Sequence, residues 1–561
     1  MSAFNLISST WLPVIRASGQ LDQIQPAHLT DGLRTDPIVD LHFARADFRC
    51  ATMEFLIGLL TVAYPPGDQW GKRWKRPPSS DELEAAFAAV ESVFAFGGDG
   101  PQAYQDFKDI EAEARPIERL LIEAPGEATI SKNTTLFVKS GRVQVLSLSA
   151  AAVTLLTLQT MAPAGGAGIR TSLRGGGPLT TLIIPNPPAT LWHRLWANAC
   201  SGERPPSRAK FPRIFPWLAP TRVSDNDQIT TPEDVDWRQV FFGMPRRIRL
   251  NLEQNVDRTP CDLTGIIEDI IVRTYRTLPH GVNYEAWGGL HPLTPHYRTK
   301  TSDPTRNPVH GHDGRMGYRQ WVPMLYGNKD GLREPATCVS FFIHERRDEL
   351  PPSERSFRLS AAGYATDNMK AIAFVEAETP DLTIADAEEQ VAQKAKDFVA
   401  AANTVANVLS KSIKIALYGE GARVRDDTAY VSNAHDLFWS DTNDSFFAML
   451  NAISTLPAKA FAGEEATSFA RAWRAVLERS ALAIFDELTP MHGALSEAER
   501  VVKGRRLLVL TLLGYGQRGT ELFKNLQLPV PEKTKTKGLK RDDRPKRAAD
   551  AVGANRPPLV G

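Results

Sequence analysis

Cysteine is scarce in this sequence. The 561 residues contain four, Cys50, Cys200, Cys261 and Cys338, far apart and without a CxxC pair. That spacing argues against a zinc ribbon and a disulfide framework, and buried reduced thiols are expected. Net charge is equally scarce, +1 in total, from 66 Lys+Arg against 65 Asp+Glu. No global basic field can draw in nucleic acid, so any such binding must use local patches. Long hydrophobic runs are missing too. The longest, FLIGLLTVAY at 55–64, is too short to span a bilayer. The opening MSAFNLISSTWLPVIRASGQ has no basic start followed by an apolar stretch, so it is not read as a signal peptide. A soluble cytoplasmic protein with no membrane partner is expected.

Catalytic signatures are also absent. There is no GxxxxGK[ST], no GxGxxG, no HExxH and no GxSxG. A chain this long without one points mildly to a binding protein. Two histidine-bearing stretches keep an alternative open. VHGHDGRMGYRQW carries His310, His312 and Asp313, and a metal-dependent nuclease or phosphohydrolase could use them. AHDL at 434–437 could mark a phosphohydrolase, but a lone HD in a helical region is more often a surface pair. A structural scaffold without DNA contact is a further alternative.

The length requires more than one core. Residues 1–375 read as mixed α and β, punctuated by proline. Helices are expected near 45–63 and 81–96, the second capped by a serine of PPSS. TLFVKSGRVQVLSL at 135–148 is either a hairpin around Ser140-Gly141 or a loop leading into a helix. RQVFFGMPRRIRLNLE and KAIAFVEAE look strand-like. From about 381 the texture changes. Val391, Ala395, Phe398, Ala402, Val405, Leu409 and Ala416 alternate at three- and four-residue spacing, one apolar stripe on a long helix. Thr383 with Asp386 resembles its capping box, Gly419 and Gly421 its end, and Glu388–Glu389 a solvated face. Helices near 432–453, 463–487 and 495–516 complete a four-helix bundle over 376–528. Residues 529–561 read as a basic disordered tail. The fold class expected is α+β, a large mixed α/β N-terminal domain followed by this bundle.

What is abundant locally is glycine. APAGGAGIRTSLRGGGPLTTLI at 162–183 holds six glycines and two arginines between Gly165 and Gly177. Without a P-loop lysine, it is read as a bare backbone loop that can approach another backbone closely. Arg170 and Arg174 would supply charge for phosphates. Arg298 and Lys300, the alternating Arg246, Arg247 and Arg249, and Lys411 with Lys414 are further candidates for phosphate patches.

Several short stretches occur in one order: WLPV at 11–14, PIERLL at 116–121, LFVKSG at 136–141, SLRGGGPLTTL at 172–182, GLHPLTPHY at 289–297, GYRQW at 317–321 and AAGYATDNMKAIAF at 361–374. In this order the chain resembles the CasA family, the large subunit of the type I-E CRISPR Cascade surveillance complex, over roughly residues 5–525. The resemblance implies a non-catalytic protein without cofactor or metal. It implies recognition of the short protospacer-adjacent motif (PAM) on double-stranded DNA, local duplex opening and recruitment of a helicase-nuclease. The implied partners are the other Cascade subunits, the guide RNA, the target DNA and that helicase-nuclease. The implied glycine loop is Gly166, Ala167 and Gly168, entering the minor groove. The implied wedge hairpin has Asp367, Asn368 and Met369 at its tip. A basic pair gripping the duplex falls at Arg298 and Lys300, with a further minor-groove position near Arg276–His280. Phe137, Val138 and Lys139 match a loop that reaches the guide-RNA handle and a neighbouring subunit.

Overall fold

Helical spacing in the sequence sets the axis of the C-terminal half. All seven residues of the predicted stripe are buried, none more than 3 % exposed. They lie on one helix, Glu388–Tyr418, which ends where Gly419 takes φ 92° and its N–H bonds the Ile415 carbonyl. The computed structural model describes residues 4–135, 138–166, 168–200, 202–367, 370–422, 429–490 and 495–532. Among these, helices Ala429–Asp441, Glu464–Leu488, Leu495–Leu512 and Gly516–Asn525 pack on the long helix. The helix expected over 432–453 is two, because the chain breaks at Thr442 before Asn443–Ser454. The short helix from Gly516, amphipathic but glycine-started, was not legible.

The start of the long helix differs from expectation. Thr383 belongs to a two-residue strand, and no capping box forms with Asp386. Glu388 is not solvated: it is 5 % exposed and accepts from the Ala385 N–H at 2.8 Å. Burial pushes its carboxyl up to about 7. The folded pKa therefore lies above the unfolded value of 4.5, so the folded state holds an extra proton in between and stability falls as pH rises through that window. Glu388→Gln should flatten that fall and raise stability near pH 8 by up to roughly 3 kcal/mol. Thermal melts of both proteins across the window check this; parallel curves would contradict it.

In the N-terminal part, helix Ala46–Ala63 is buried along nearly its whole length and packs on helix Leu148–Met161. The predicted helix after PPSS begins as expected, with Ser79 Oγ accepting from the Glu82 N–H at 3.2 Å, but stops at Phe87. From Val138, TLFVKSGRVQVLSL is a loop, then the two-residue strand Leu146–Ser147, leading into a helix rather than a hairpin. Of RQVFFGMPRRIRLNLE, only Arg247–Gln254 is strand; Trp237–Phe241 is a 3₁₀ turn. That strand pairs antiparallel with Ile270–Leu278. A second sheet centres on Ser356–Asp367. It pairs antiparallel with the fully buried strand Thr180–Pro185 on one edge and with Lys370–Glu378 on the other. The second pairing is the hairpin AAGYATDNMKAIAF.

One apolar cluster runs through both parts of the chain, from Leu6 to Leu528. Tyr318 cements the joint: its ring stacks on Phe446 at 4.3 Å and meets Trp439 and Trp473 edge or tilted. All four cysteines are free. Among the described residues, no helix is long and apolar enough to cross a membrane.

Candidate nucleic-acid interface

The glycine run divides into two structural roles. Gly166 takes φ 103°, and a Cβ placed there would meet nothing within 4 Å. Its requirement for glycine is conformational, and the space before it is open. Gly168, at φ 73°, is packed instead: a Cβ would come 3.0 Å from Pro279 and 3.2 Å from the His280 ring. The Gly168 carbonyl accepts from the His280 N–H at 2.7 Å. The loop thus rests on the turn that follows strand Ile270–Leu278. Ala167 lies outside the described residues.

The second cluster faces the hairpin. A Cβ on Gly177 would sit 2.5 Å from the Tyr364 carbonyl oxygen, and one on Gly311 2.8 Å from the same atom. A Cβ on Gly363 would strike the Pro178 carbonyl at 2.4 Å. Three chain segments therefore meet backbone to backbone, and only glycine allows it. On its other side, Gly176 lies against Pro163 and Ala164, the root of the first loop. Glycine loop and hairpin are joined through Gly175–Gly177.

The hairpin is braced from below. Tyr364 Oη donates to Asp47 Oδ2 at 2.6 Å. Burial, reinforced by Asp47, pushes the phenol well up, so it remains a donor. Arg45 holds Asp47 at 2.7 Å, Arg49 bonds Glu376, and Arg358 bonds Glu378 at 2.6 Å. At the tip Asp367 pairs in register with Lys370, and both are exposed. Asn368 and Met369, between them, lie outside the described residues.

The loop LFVKSG is fixed at its base by PIERLL. Buried Glu118 accepts from Ser140 Oγ and from the Gly141 N–H, each at 2.6 Å. Val138 projects with 37 % exposure, and the exposed Lys139 bonds the Thr135 carbonyl. Phe137 lies outside the described residues.

The basic candidates sort by partner. Arg174 is not a phosphate ligand. It is buried, its Nη2 donates to both Glu54 oxygens at 2.7 and 3.0 Å, and its Nη1 meets Thr180 and Thr294. Arg170 is turned to Ser224 at 2.8 Å. Arg247 and Arg249 are committed to Asp106 and Asp109 at 2.7 and 2.9 Å. Arg246 is bonded to the Pro163 carbonyl, and burial pulls it down to about 10. Arg298 shares Glu334 with Arg306 and His296. Lys300 is exposed and makes no ion pair among the described residues, and Arg276 is exposed across from Arg249. Lys411 is exposed on the long helix and Lys414 half-buried.

The histidine motif is a brace. His310 Nδ1 lies 3.2 Å from the Gly177 carbonyl, while Gly311 bridges Ala365 of the hairpin. Burial lowers the His310 pKa, so it is neutral and donates from Nδ1. Among the described residues, no group of three or more His, Cys, Asp or Glu side chains converges as a metal site.

The chain as a whole is similar to known proteins. The family model for CRISPR-associated protein Cse1 matches residues 5–484. The chain belongs to the Cse1 family. Solved Cse1 structures share its fold. Cse1 from Acidimicrobium ferrooxidans aligns at 16 % identity and TM-score 0.63, covering 95 % of this chain and 100 % of that one. Thermus thermophilus CasA (Cse1) aligns at 14 % and 0.63, covering 90 % and 99 %. A chain of a CRISPR RNA-guided surveillance complex aligns at 15 % and 0.65, again covering 90 % and 99 %.

Some features of this region were invisible in the sequence. The Tyr364 carbonyl as the meeting point of Gly177 and Gly311 is a backbone feature without a side-chain signal. Arg306 and Arg333 come beside Arg298 because the short strands Asn307–Pro308 and Arg333–Glu334 both pair with His296–Tyr297, long-range pairings no local pattern announces.

Proposed function

We propose that this Cse1 protein is the non-catalytic large subunit of a type I-E, RNA-guided Cascade complex acting in the cytoplasm. In this reading it recognises the PAM of double-stranded DNA through the minor groove, promotes opening beside it and recruits the helicase-nuclease. The observation that carries the reading is the mechanical union of an open glycine loop with a braced hairpin through Gly177 and Tyr364. A loop with open space at a position that carries no side chain, Gly166, suits a narrow groove. A hairpin fixed to it at a constant offset suits a wedge that enters beside the bases being read. The guide pairs the long sequence and the protein reads the short flank, as in other RNA-guided systems. Val138 and Lys139, on a loop anchored by Glu118, are assigned to the guide-RNA handle and neighbouring subunit.

Gly166→Asp, in the assembled complex, should weaken PAM-dependent binding by roughly 10- to 100-fold, because a carboxylate replaces open space beside phosphates. Asn368→Ala should weaken it several-fold. Unchanged affinity in both would favour a scaffold without DNA contact. Metal-dependent cleavage of DNA by the purified chain, abolished by His312→Ala, would favour a nuclease.

A further inference from the structure

Many arginines of this fold are neutralised by a carboxylate, as Arg16 is by Asp22, Arg45 by Asp47, Arg174 by Glu54 and Arg247 by Asp106. Three on one surface are not. Arg315, Arg319 and Arg333 make no ion pair among the described residues. They are contributed by the segment that follows the His310 brace and by the strand beside Arg298. Arg315 and Arg319 line a cavity of about 320 Å³ at the joint between the α/β part and the helical region.

The two guanidiniums in this cavity are held in place. Arg315 donates to Ser440 Oγ at 3.2 Å. Arg319 lies over the Trp439 ring at 5.3 Å and within 3.4 Å of His435 Nε2. That nitrogen already accepts from the Trp439 indole at 3.1 Å, so it carries no proton and His435 adds no positive charge to the cavity. The helix Tyr318–Tyr326 opens into the same cavity, but its first N–H groups are capped by Gln320 and Asn443 and are not available. Asp313 and Asp436 are the carboxylates at the rim. Both are exposed, and neither lies within ion-pair distance of Arg315 or Arg319. Burial against neighbouring side chains, with Arg333 nearby, lowers the Arg319 pKa. Two oriented cations with no carboxylate at ion-pair distance, only Asp436 acting on Arg319 from the rim, form a site organised before its ligand arrives.

The cavity is not isolated. Arg333 pairs in register with Tyr297, and the Arg298 N–H bonds the adjacent Leu332 carbonyl at 2.8 Å. Basic side chains therefore continue from Arg298, itself paired with Glu334, and Lys300 across Arg333 to Arg319 and Arg315. We infer that this cavity is a second phosphate seat, in which Arg315 and Arg319 hold a phosphodiester of the same DNA molecule whose PAM duplex meets Arg298 and Lys300. The inference rests on the DNA-binding reading above. The phosphodiester comes either from the duplex or from the strand released on opening.

Salt dependence separates these cases, because each phosphate contact contributes about 0.9 on duplex and about 0.7 on single strand to the slope of log K against log salt. The assembled complex is titrated with two labelled duplexes carrying the same PAM, one matching the guide and one not. Arg315→Gln/Arg319→Gln should reduce the slope by roughly 0.7 to 0.9, one phosphate, and leave PAM preference unchanged. Loss on both duplexes assigns the seat to duplex phosphate. Loss only on the matched target assigns it to the opened strand. The single Arg315→Gln change leaves the Trp439 stack intact and should remove about half of the effect, which guards against a folding defect in the double variant. Unchanged slopes on both duplexes overturn the seat. Absence of any PAM preference in the wild-type complex would instead overturn the function it rests on.

Discussion

Gly177→Ala is expected to lower stability by roughly 2–4 kcal/mol and to abolish PAM-dependent binding, while Gly166→Ala lowers stability by only about 1–2 kcal/mol. Both glycines sit in the left-handed region, at φ 71° and 103°. An L-residue is disfavoured there by roughly 1–2 kcal/mol. The difference is space. At Gly177 the new methyl would stand 2.5 Å from the Tyr364 carbonyl and 2.7 Å from Thr366 Cγ2, so the hairpin backbone must move; at Gly166 it meets nothing. Moving the hairpin strains the Tyr364–Asp47 bond and shifts the tip relative to the glycine loop. Thermal melting and binding by the assembled complex check both parts. A Gly177→Ala protein as stable as Gly166→Ala, with normal PAM binding, would break the proposed coupling of loop and hairpin.

Arg174→Ala should be the most destabilising substitution in the glycine run, by roughly 3–5 kcal/mol, because it strands a buried carboxylate. Arg174 and Glu54 are 4 % and 3 % exposed, and Thr180 adds its hydroxyl to the same carboxylate. Replacing both charged partners together, Glu54→Leu with Arg174→Met, should lose much less, since no uncompensated charge remains. The pH dependence supplies a second readout. Burial, then the Arg174 charge, hold the His291 pKa well below 6.5. An imidazole depressed in the folded state contributes stability above its unfolded value that is lost as pH falls below it. In Arg174→Ala the Glu54 carboxylate, 3.7 Å from His291 Nε2, faces the ring unopposed, and this acid-side loss should shrink. Denaturant melts over a pH series measure both effects. A loss under about 1 kcal/mol would mean that Glu54 finds water or another partner.

The long helix was legible because burial of a 3.6-residue stripe needs only local spacing, and Val391 through Ala416 obey it. The glycine loop was legible for a similar reason: missing side chains are themselves a sequence signal. Partner-dependent features were not. Arg174 and Arg247 look like phosphate ligands until Glu54 and Asp106, far away in sequence, are placed beside them. Glu388 looks solvated until Tyr326 and the turn at Ala385 cover it. Ser79 predicted where a helix starts, but nothing local marked Phe87 as its end. The family-like motifs PIERLL and LFVKSG showed no relation in sequence, yet Glu118 ties one to Ser140 and Gly141 of the other. Ala167, Asn368, Met369 and Phe137 stand as assignments from resemblance, outside the described residues.

The sharpest test of minor-groove reading is chemical. Each base of the PAM can be altered on one groove face alone. Replacing guanine by inosine removes the N2 amino group from the minor groove, and 7-deazapurines remove the N7 acceptor from the major groove. The measurement is the affinity of the assembled complex for matched targets carrying each substitution within the PAM. The expected result is that 7-deazapurines leave affinity unchanged, inosine at a guanine position changes it several-fold, and A·T to T·A exchanges are largely tolerated. Loss of binding on 7-deaza substitution, with indifference to inosine, would contradict the proposed role of the glycine loop.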